Sequence, residues 1–309
     1  MTCFRPLSGF LVDNYIGLPD KQKLILKPYK TMTAFYAGKR LTNWFPVPCG
    51  KCAGCKLDHS QSWSVRLQLE ASLYPDELNH FITLTYRDDC NPVTLRKRDV
   101  QLFMKRLRSK YSDKIRFFLC GEYGTSTGRP HYHLLLFNAF IDDLEPYSKL
   151  NPNGLYTSKF LDSVWKFGNV IIGKVTPKSI GYTSRYVLKK QVKPEDKELF
   201  NKVGLAPEFT LMSRKPGIGA DAFKKEWFEW NYIPLNGRRY PINRYYIDIF
   251  KKFYDYKAIQ EWSRKLSDIN FLKFDDPESY YNELLNKEIL FKHRMDILGR
   301  RGLDQYGIN

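Results

Sequence analysis

The sequence predicts a mixed α+β protein. Two kinds of pattern carry that expectation. Residues 81–86 (FITLTY), 115–124 (IRFFLCGEYG), 131–137 (HYHLLLF) and 169–175 read as strands, being β-branched, aromatic or alternating in character. Around them, residues 60–74, 100–107, 157–167 and 176–190 carry helical periodicity or caps. At 309 residues, with 21 Tyr and 21 Phe, the chain is long and aromatic enough to bury a real core in one large domain or two.

Residues 1–47 contain apolar pieces such as Gly9-Phe10-Leu11-Val12 and Leu24-Ile25-Leu26, read as short strands with proline-rich edges. Next comes PCGKCAGCK, with Cys49, Cys52 and Cys55 at C-x2-C-x2-C spacing. Thiolates gathered on tight turns are how zinc knuckles are built. A tetrahedral Zn²⁺ site needs a fourth ligand, for which Cys3 is the first candidate and His59 the second. Reduced, metal-free cysteines are the competing reading, and an iron–sulfur centre would require its own fourth cysteine at a set distance. Cys90 and Cys120 read as loop and strand residues without a role.

Asp58 or Ser60 can cap the first helix, which runs to about Tyr74, turns Trp63, Leu67 and Ala71 inward, and pairs Arg66 with Glu70 at i,i+4. In the second helix Val100, Phe103, Met104 and Leu107 fall at i, i+3, i+4 and i+7, and the outer face carries Lys105, Arg106, Arg108 and Lys110. Gly168 is the stop signal of the third helix, and Thr176-Pro177 opens the fourth as cap and N1 proline. Residues 210–220 (TLMSRKPGIGA) read as a mobile, phosphate-contacting loop. Asn236-Gly237 marks a two-residue hairpin, where Arg238, Arg239 and Arg244 interleave with Tyr240, Tyr245 and Tyr246 as on single-strand binding surfaces, or simply as a packing element. The remainder, to Asn309, reads as helical and accessory.

The candidate chemistry centres on His131-Tyr132-His133. Side chains alternate along a strand, so the two imidazoles share one face while Tyr132, Leu134 and Leu136 take the other. A hairpin across the glycine- and proline-containing connection brings Glu122 beside His131. One carboxylate and two imidazoles suit a divalent cation and leave coordination positions for substrate oxygens. An isolated His-x-His is more often a half-buried strand with two polar residues; a second constellation changes that weighting.

That constellation is the helix TPKSIGYTSRYVLKK. Tyr182 and Tyr186 lie one turn apart on one face, continued by Lys189 and Lys190, and Arg185 and Lys189 follow the tyrosines by three residues. Two tyrosines with snorkelling lysines are also an ordinary core edge. Beside a metal, the pair has a chemical use. A phenol has a reference pKa of about 10 and attacks phosphorus only when its phenolate is stabilised, which a lysine and a Lewis acid can do. The predicted reaction is transesterification, in which the tyrosine displaces a 3′-oxygen and becomes linked to the 5′-phosphate.

The charge agrees with a polyanionic partner. Lys and Arg number 50 against 33 Asp and Glu, a net charge of +17 and a pI near 9.5, which favours nucleic acid first and an anionic membrane surface second. No segment approaches the roughly 18 apolar residues of a membrane span, and the N-terminus lacks a signal pattern, so the expectation is a cytosolic protein with no membrane partner.

The ordered set FITLTY (81–86), GEYG with RPHYHLLLF (121–137) and GYTSRYVLKK (181–190) resembles the HUH endonucleases. With PCGKCAGCK, Trp63, Arg66, Glu70 and MSRKPGIG (212–219), it resembles in particular the rolling-circle replication initiators of gokushovirus-like single-stranded DNA phages (Microviridae). The likeness spans most of residues 45–240. It implies a central antiparallel sheet of about five strands flanked by helices, with an N-terminal Cys-rich addition (1–78), a nuclease core (79–195) and a basic, mostly helical C-terminal region (196–309). It implies Glu122, His131 and His133 as ligands of Mg²⁺ or Mn²⁺, Tyr182 and Tyr186 as alternating nucleophiles, and Lys189 as their lysine. Arg185, Lys190, Arg214, Lys215, Arg238 and Arg239 are the cations assigned to DNA. Tyr132 stands where that family usually has a bulky apolar residue. The implied activity is a site-specific nick and rejoining at a single-stranded or supercoiled phage origin, in the cytoplasm of a bacterial host, with a host helicase and polymerase. The alternatives are an HUH relaxase or transposase, a metal-dependent phosphohydrolase using water, or a non-catalytic nucleic-acid-binding protein with structural metal. The last predicts neither metal-dependent cutting nor a covalent adduct.

Overall fold

The computed structural model describes residues 3–13, 22–124, 127–189, 200, 202, 204–254 and 277–300. The chain divides into two compact units, one formed by Met1–His59 with Tyr256–Asn309 and the other by Ser60–Asp255.

The second unit is built on a seven-stranded antiparallel sheet. Its strands are β6 (His80–Thr85), β7 (Arg116–Tyr123), β8 (Pro130–Phe137), β9 (Glu145–Pro146), β10 (Tyr156–Thr157), β11 (Val170–Lys174) and β12 (Phe209–Met212), in the spatial order β12-β7-β8-β6-β11-β10-β9. Five strands of four residues or more make the expected sheet. The two-residue strands β9 and β10 extend one edge and are too short to show a period in sequence.

Helices cover both faces. On one, α2 (Lys97–Arg108) and α3 (Lys159–Trp165) close over Tyr132, Leu134, Leu136, Leu119, Ile82 and Leu84, all fully buried. Val100, Phe103, Met104 and Leu107 of α2 face inward as their spacing predicts, each such burial contributing about 1.5–3 kcal/mol. Ser158 caps α3 by accepting from the Leu161 N–H, and Lys166 ends it in the left-handed region, two residues before the predicted glycine stop. Gly168 has a different reason to be glycine: a Cβ there would collide with the Thr85 carbonyl oxygen.

On the other face α1 (Ala53–Ala71) and α4 (Pro177–Lys189) pack Leu67 and Ile180 against Phe118, Leu135 and Phe137. Small residues allow the two helices to approach, with Ser60 Oγ 3.4 Å from Ser184 Oγ and Thr183 fully buried. α1 begins five residues before the Asp58 cap that its polar residues suggested, because the cysteine turn itself starts the helix. The expected Arg66–Glu70 pair is replaced by longer-range partners. Glu70 pairs with Arg116 of β7, both side chains nearly inaccessible, while Arg66 lies between the rings of Trp63 and Tyr245, 4.0 and 3.5 Å from their centroids. Burial favours these exchanges, since a buried carboxylate needs a full complement of donors.

Those residues hold the glycine-rich segment at 213–219, so it is a tied loop rather than a free one. Arg116 donates to the Pro216 and Gly217 carbonyls at 2.9 and 3.1 Å, Arg66 donates to the Ile218 carbonyl at 3.0 Å, and the Gly219 N–H donates to Glu70 at 2.6 Å. Beyond it come α5 (Glu226–Trp230), the hairpin β13 (Ile233–Leu235) and β14 (Arg238–Tyr240), and α6 (Arg244–Phe253). Asn236 and Gly237 both take positive φ, 49° and 70°, as a two-residue turn requires. Tyr246 is buried and donates to the Gly219 carbonyl at 2.9 Å, so Tyr245 and Tyr246 serve packing, not an exposed stacking platform.

The first unit contains a sheet of β1 (Leu7–Asp13), β2 (Gln22–Lys27) and β5 (Trp44–Val47) in the order β2-β1-β5, and a hairpin of β3 (Ala34–Tyr36) with β4 (Lys39–Leu41). The C-terminal helix α7 (Pro277–Arg300) packs there, Tyr281 stacking on Trp44 with ring centroids 5.6 Å apart and meeting Tyr29 edge-on at 5.0 Å.

Candidate active site

The antiparallel register of three neighbouring strands assembles the site. Glu122 of β7 stands directly across from His131 of β8, while Thr83 and Thr85 of β6 stand across from His133 and His131. Alternation then places all these side chains on the sheet face that α4 covers.

Glu122 Oε1 lies 3.0 Å from His131 Nε2 and 2.8 Å from His133 Nε2, and the ligand atoms of the three residues all fall within 4.8 Å of one another. An octahedral ion with bonds of about 2.1 Å holds adjacent ligands about 3.0 Å apart, so the spacing fits Mg²⁺ or Mn²⁺ geometry. Glu122 and His133 are buried and His131 partly so. Burial pushes the His131 imidazolium down, but the Glu122 carboxylate and then the Arg129 carbonyl outweigh it, and its pKa lies above the ordinary value.

Each imidazole is oriented by a contact on its other nitrogen. The Arg129 carbonyl lies 3.1 Å from His131 Nδ1 and can only accept, which puts a proton on Nδ1 and directs Nε2 at Glu122. His133 Nδ1 lies 3.1 Å from Thr83 Oγ1, and the Phe81 ring stacks on the imidazole at 5.5 Å between centroids. Such outer contacts fix the nitrogen a metal would meet. Thr83 and Phe81 were visible only as alternate members of a strand; their role depends on a pairing register that the sequence does not display locally.

Tyr182 points into this cluster from α4. Its hydroxyl donates to Glu122 Oε1 at 2.8 Å and lies 3.4 Å from His133 Nε2, and its ring meets the His133 ring edge-on. The Arg185 guanidinium lies 5.8 Å from the Tyr182 ring centroid. Tyr186 and Lys189 lie one and two turns further along α4, with side chains outside the described residues, as is Lys190 altogether. Tyr132 is fully buried on the opposite face, and its hydroxyl has a reason to be there: it accepts from the Arg96 N–H at 2.9 Å and lies 3.0 Å from the Tyr86 hydroxyl.

The other cations assigned to DNA are dispersed. Arg214 and Lys215 are exposed on the tied loop, and Arg238 and Arg239 are exposed on β14, with Arg239 over the Tyr232 ring at 4.8 Å. Cys3 joins Cys49, Cys52 and Cys55 in a second group of metal-ligand type, whereas His59 is no part of it. Among the described residues no helix is long and apolar enough to cross a membrane.

An antiparallel sheet carrying a Glu and a His-x-His, with a helix presenting tyrosine to them, is an α+β fold of the HUH, Rep-like type. Comparison with known proteins agrees. Residues 79–191 match the family model of the ORF2-type replication-associated proteins. The chain is 32% identical to replication-associated protein VP4 of Bdellovibrio phage phiMH2K, covering 82% of this chain and 78% of that protein. It is likewise 32% identical to replication-associated protein ORF2 of Spiroplasma virus 4, covering 85% and 82%. Replication-associated protein ORF4 of Chlamydia phage 1 is 33% identical over 67% of this chain and 54% of its own. The chain therefore belongs to the family of phage replication-associated proteins. No solved structure matches it.

Proposed function

We propose that the protein initiates rolling-circle replication by nicking single-stranded DNA at a phage origin, with residues 79–195 as the nuclease core. The observation that carries this reading is the Tyr182 hydroxyl 2.8 Å from Glu122, inside the Glu122–His131–His133 group. A nucleophile and a divalent-metal donor set converge there on one point, as phosphoryl transfer to tyrosine requires.

Glu122, His131 and His133 would hold Mg²⁺ or Mn²⁺, which when bound polarises the scissile phosphate. Tyr182 Oη forms the new bond to phosphorus, the bond from phosphorus to the 3′-oxygen breaks, and the 3′-oxygen leaves to become a hydroxyl. The phenolic hydrogen is directed at Glu122, which disposes it to leave as the bond forms. Because one phosphodiester replaces another, the tyrosyl linkage can be reversed by a free 3′-hydroxyl to rejoin ends. Arg185 beside Tyr182 supplies positive charge where phosphate arrives, and Tyr186 with Lys189, one and two turns along α4, serves the second transfer. Arg214, Lys215, Arg238, Arg239 and Lys190 give the backbone of the strand further cationic contacts. The DNA origin is the partner, with a host helicase and polymerase acting on the exposed 3′ end in the host cytoplasm.

Incubation of the protein with Mn²⁺ and single-stranded phage-type origin DNA tests this on a denaturing gel. The expected product is a protein band shifted by covalent DNA, lost with EDTA and with Tyr182→Phe/Tyr186→Phe. Cutting with no adduct would instead assign the nucleophile to water.

A further inference from the structure

The four cysteines Cys3, Cys49, Cys52 and Cys55 lie outside the proposed nicking chemistry. Their sulfurs are arranged as a tetrahedron. Cys52 Sγ is 3.8 Å from Cys3 Sγ and Cys49 Sγ is 4.0 Å from Cys55 Sγ, with all four within 4.8 Å of one another. A tetrahedral ion with Zn–S bonds of about 2.3 Å has sulfurs about 3.8 Å apart, whereas a disulfide brings two sulfurs to about 2.0 Å. None of the four is in a disulfide.

The polypeptide around the sulfurs favours thiolates. The Cys49 N–H donates to Cys3 Sγ at 3.3 Å, the Cys52 N–H to Cys49 Sγ at 3.4 Å and the Cys55 N–H to Cys52 Sγ at 3.4 Å. Three successive amide–sulfur bonds wind the C-x2-C-x2-C segment around one point, and the first turn of α1, whose N–H groups lack acceptors within the helix, lies beside it. Cys3 and Cys55 are buried, and four thiolates gathered this closely need a cation to offset their mutual repulsion. All four positions are protein ligands, so no place remains for substrate. Such a closed site is structural.

We infer that Cys3, Cys49, Cys52 and Cys55 bind one Zn²⁺ that fastens the start of the chain to the start of α1 and thereby seats the C-terminal helix. The residues next to Cys3 make that last link: the Phe4 ring lies 5.4 Å from the Phe291 ring, and Arg5 pairs with Glu288 of α7 at 3.3 Å. The ion closes a unit drawn from both ends of the sequence.

Full-length protein purified without chelator is to be analysed for metal by mass spectrometry, with the His131→Ala/His133→Ala variant alongside to separate this site from the other. About one zinc per chain is expected in both, with near-complete loss in Cys49→Ser/Cys52→Ser. Replacement by Co²⁺ in the wild-type protein should give the intense visible bands of a tetrahedral tetrathiolate site, a reading that needs no variant to fold. Zinc removal by an organomercurial should raise hydrogen exchange in residues 277–294 with no matching rise in β7 and β8. A folded, zinc-free protein with all six thiols titratable would overturn the inference, as would iron in the tetrad or zinc lost from the histidine variant alone. Each of these results is independent of whether the protein nicks DNA.

Discussion

Replacing Thr83 by Val tests how the metal centre is held. Val matches Thr in shape and in β-branching, so β6 keeps its conformation and its pairing opposite His133. What disappears is the hydroxyl 3.1 Å from His133 Nδ1. For His133 to offer Nε2 to a cation, the proton must sit on Nδ1, and the Thr83 oxygen is the acceptor that keeps it there. Without it, a buried N–H loses its partner and the other tautomer, which carries its proton on Nε2, becomes competitive. Loss of one outer-shell bond of this kind weakens metal binding about 10–100-fold, or about 1.4–2.8 kcal/mol. Mn²⁺ titration followed by electron paramagnetic resonance measures this directly, and Thr83→Ser should restore most of the affinity because it keeps the oxygen. Wild-type affinity in the Val variant, or equal weakening in Val and Ser, would refute the assignment.

Three further outcomes are expected. Glu70→Gln leaves Arg116 buried without a counter-charge and should cost about 3 kcal/mol, lowering the calorimetric Tm by about 6–12 °C; a shift under about 2 °C would show the pair to be dispensable. Tyr132→Phe removes the acceptor of the Arg96 N–H and should destabilise the fold by about 1–3 kcal/mol in urea titration while leaving Mn²⁺ affinity unchanged, because that side chain lies on the sheet face away from the histidines. Gly168→Ala forces a Cβ against the Thr85 carbonyl, which itself accepts from Trp165 Nε1 at 2.8 Å, and should cost about 1–3 kcal/mol in the same titration.

The sheet and the heart of the site were legible because both rest on local period. Alternation along HYHLLLF separated His131 and His133 from Tyr132, Leu134 and Leu136, and a turn signal between two apolar strands was enough to set Glu122 beside His131. The i,i+3,i+4,i+7 spacing of α2 named its buried face in the same way. Interactions fixed by tertiary register were not legible. Arg66 and Glu70 satisfy a helical pairing rule, yet burial gave each a partner 46 residues or more away. Tyr245 and Tyr246 resembled an exposed stacking surface because side-chain type alone does not say which face of a helix the core will take; α6 turned Tyr246 inward. Thr83 had no distinguishing mark beyond its place in an alternating strand. Cys3 could be paired with the C-x2-C-x2-C segment as a candidate only, since no spacing rule spans the 46 residues to Cys49.

The most direct test of the account is the chemical identity of the DNA-bound residue. Protein is to be reacted with Mn²⁺ and single-stranded origin DNA, the DNA trimmed by nuclease, and the digested peptides sequenced by mass spectrometry. A 5′-phosphonucleotide on the tyrosine of the GYTSR segment, Tyr182, absent after Glu122→Ala or EDTA, is the predicted result. Modification at a residue away from α4, or an adduct that persists without Glu122 and without divalent metal, would contradict the site described here.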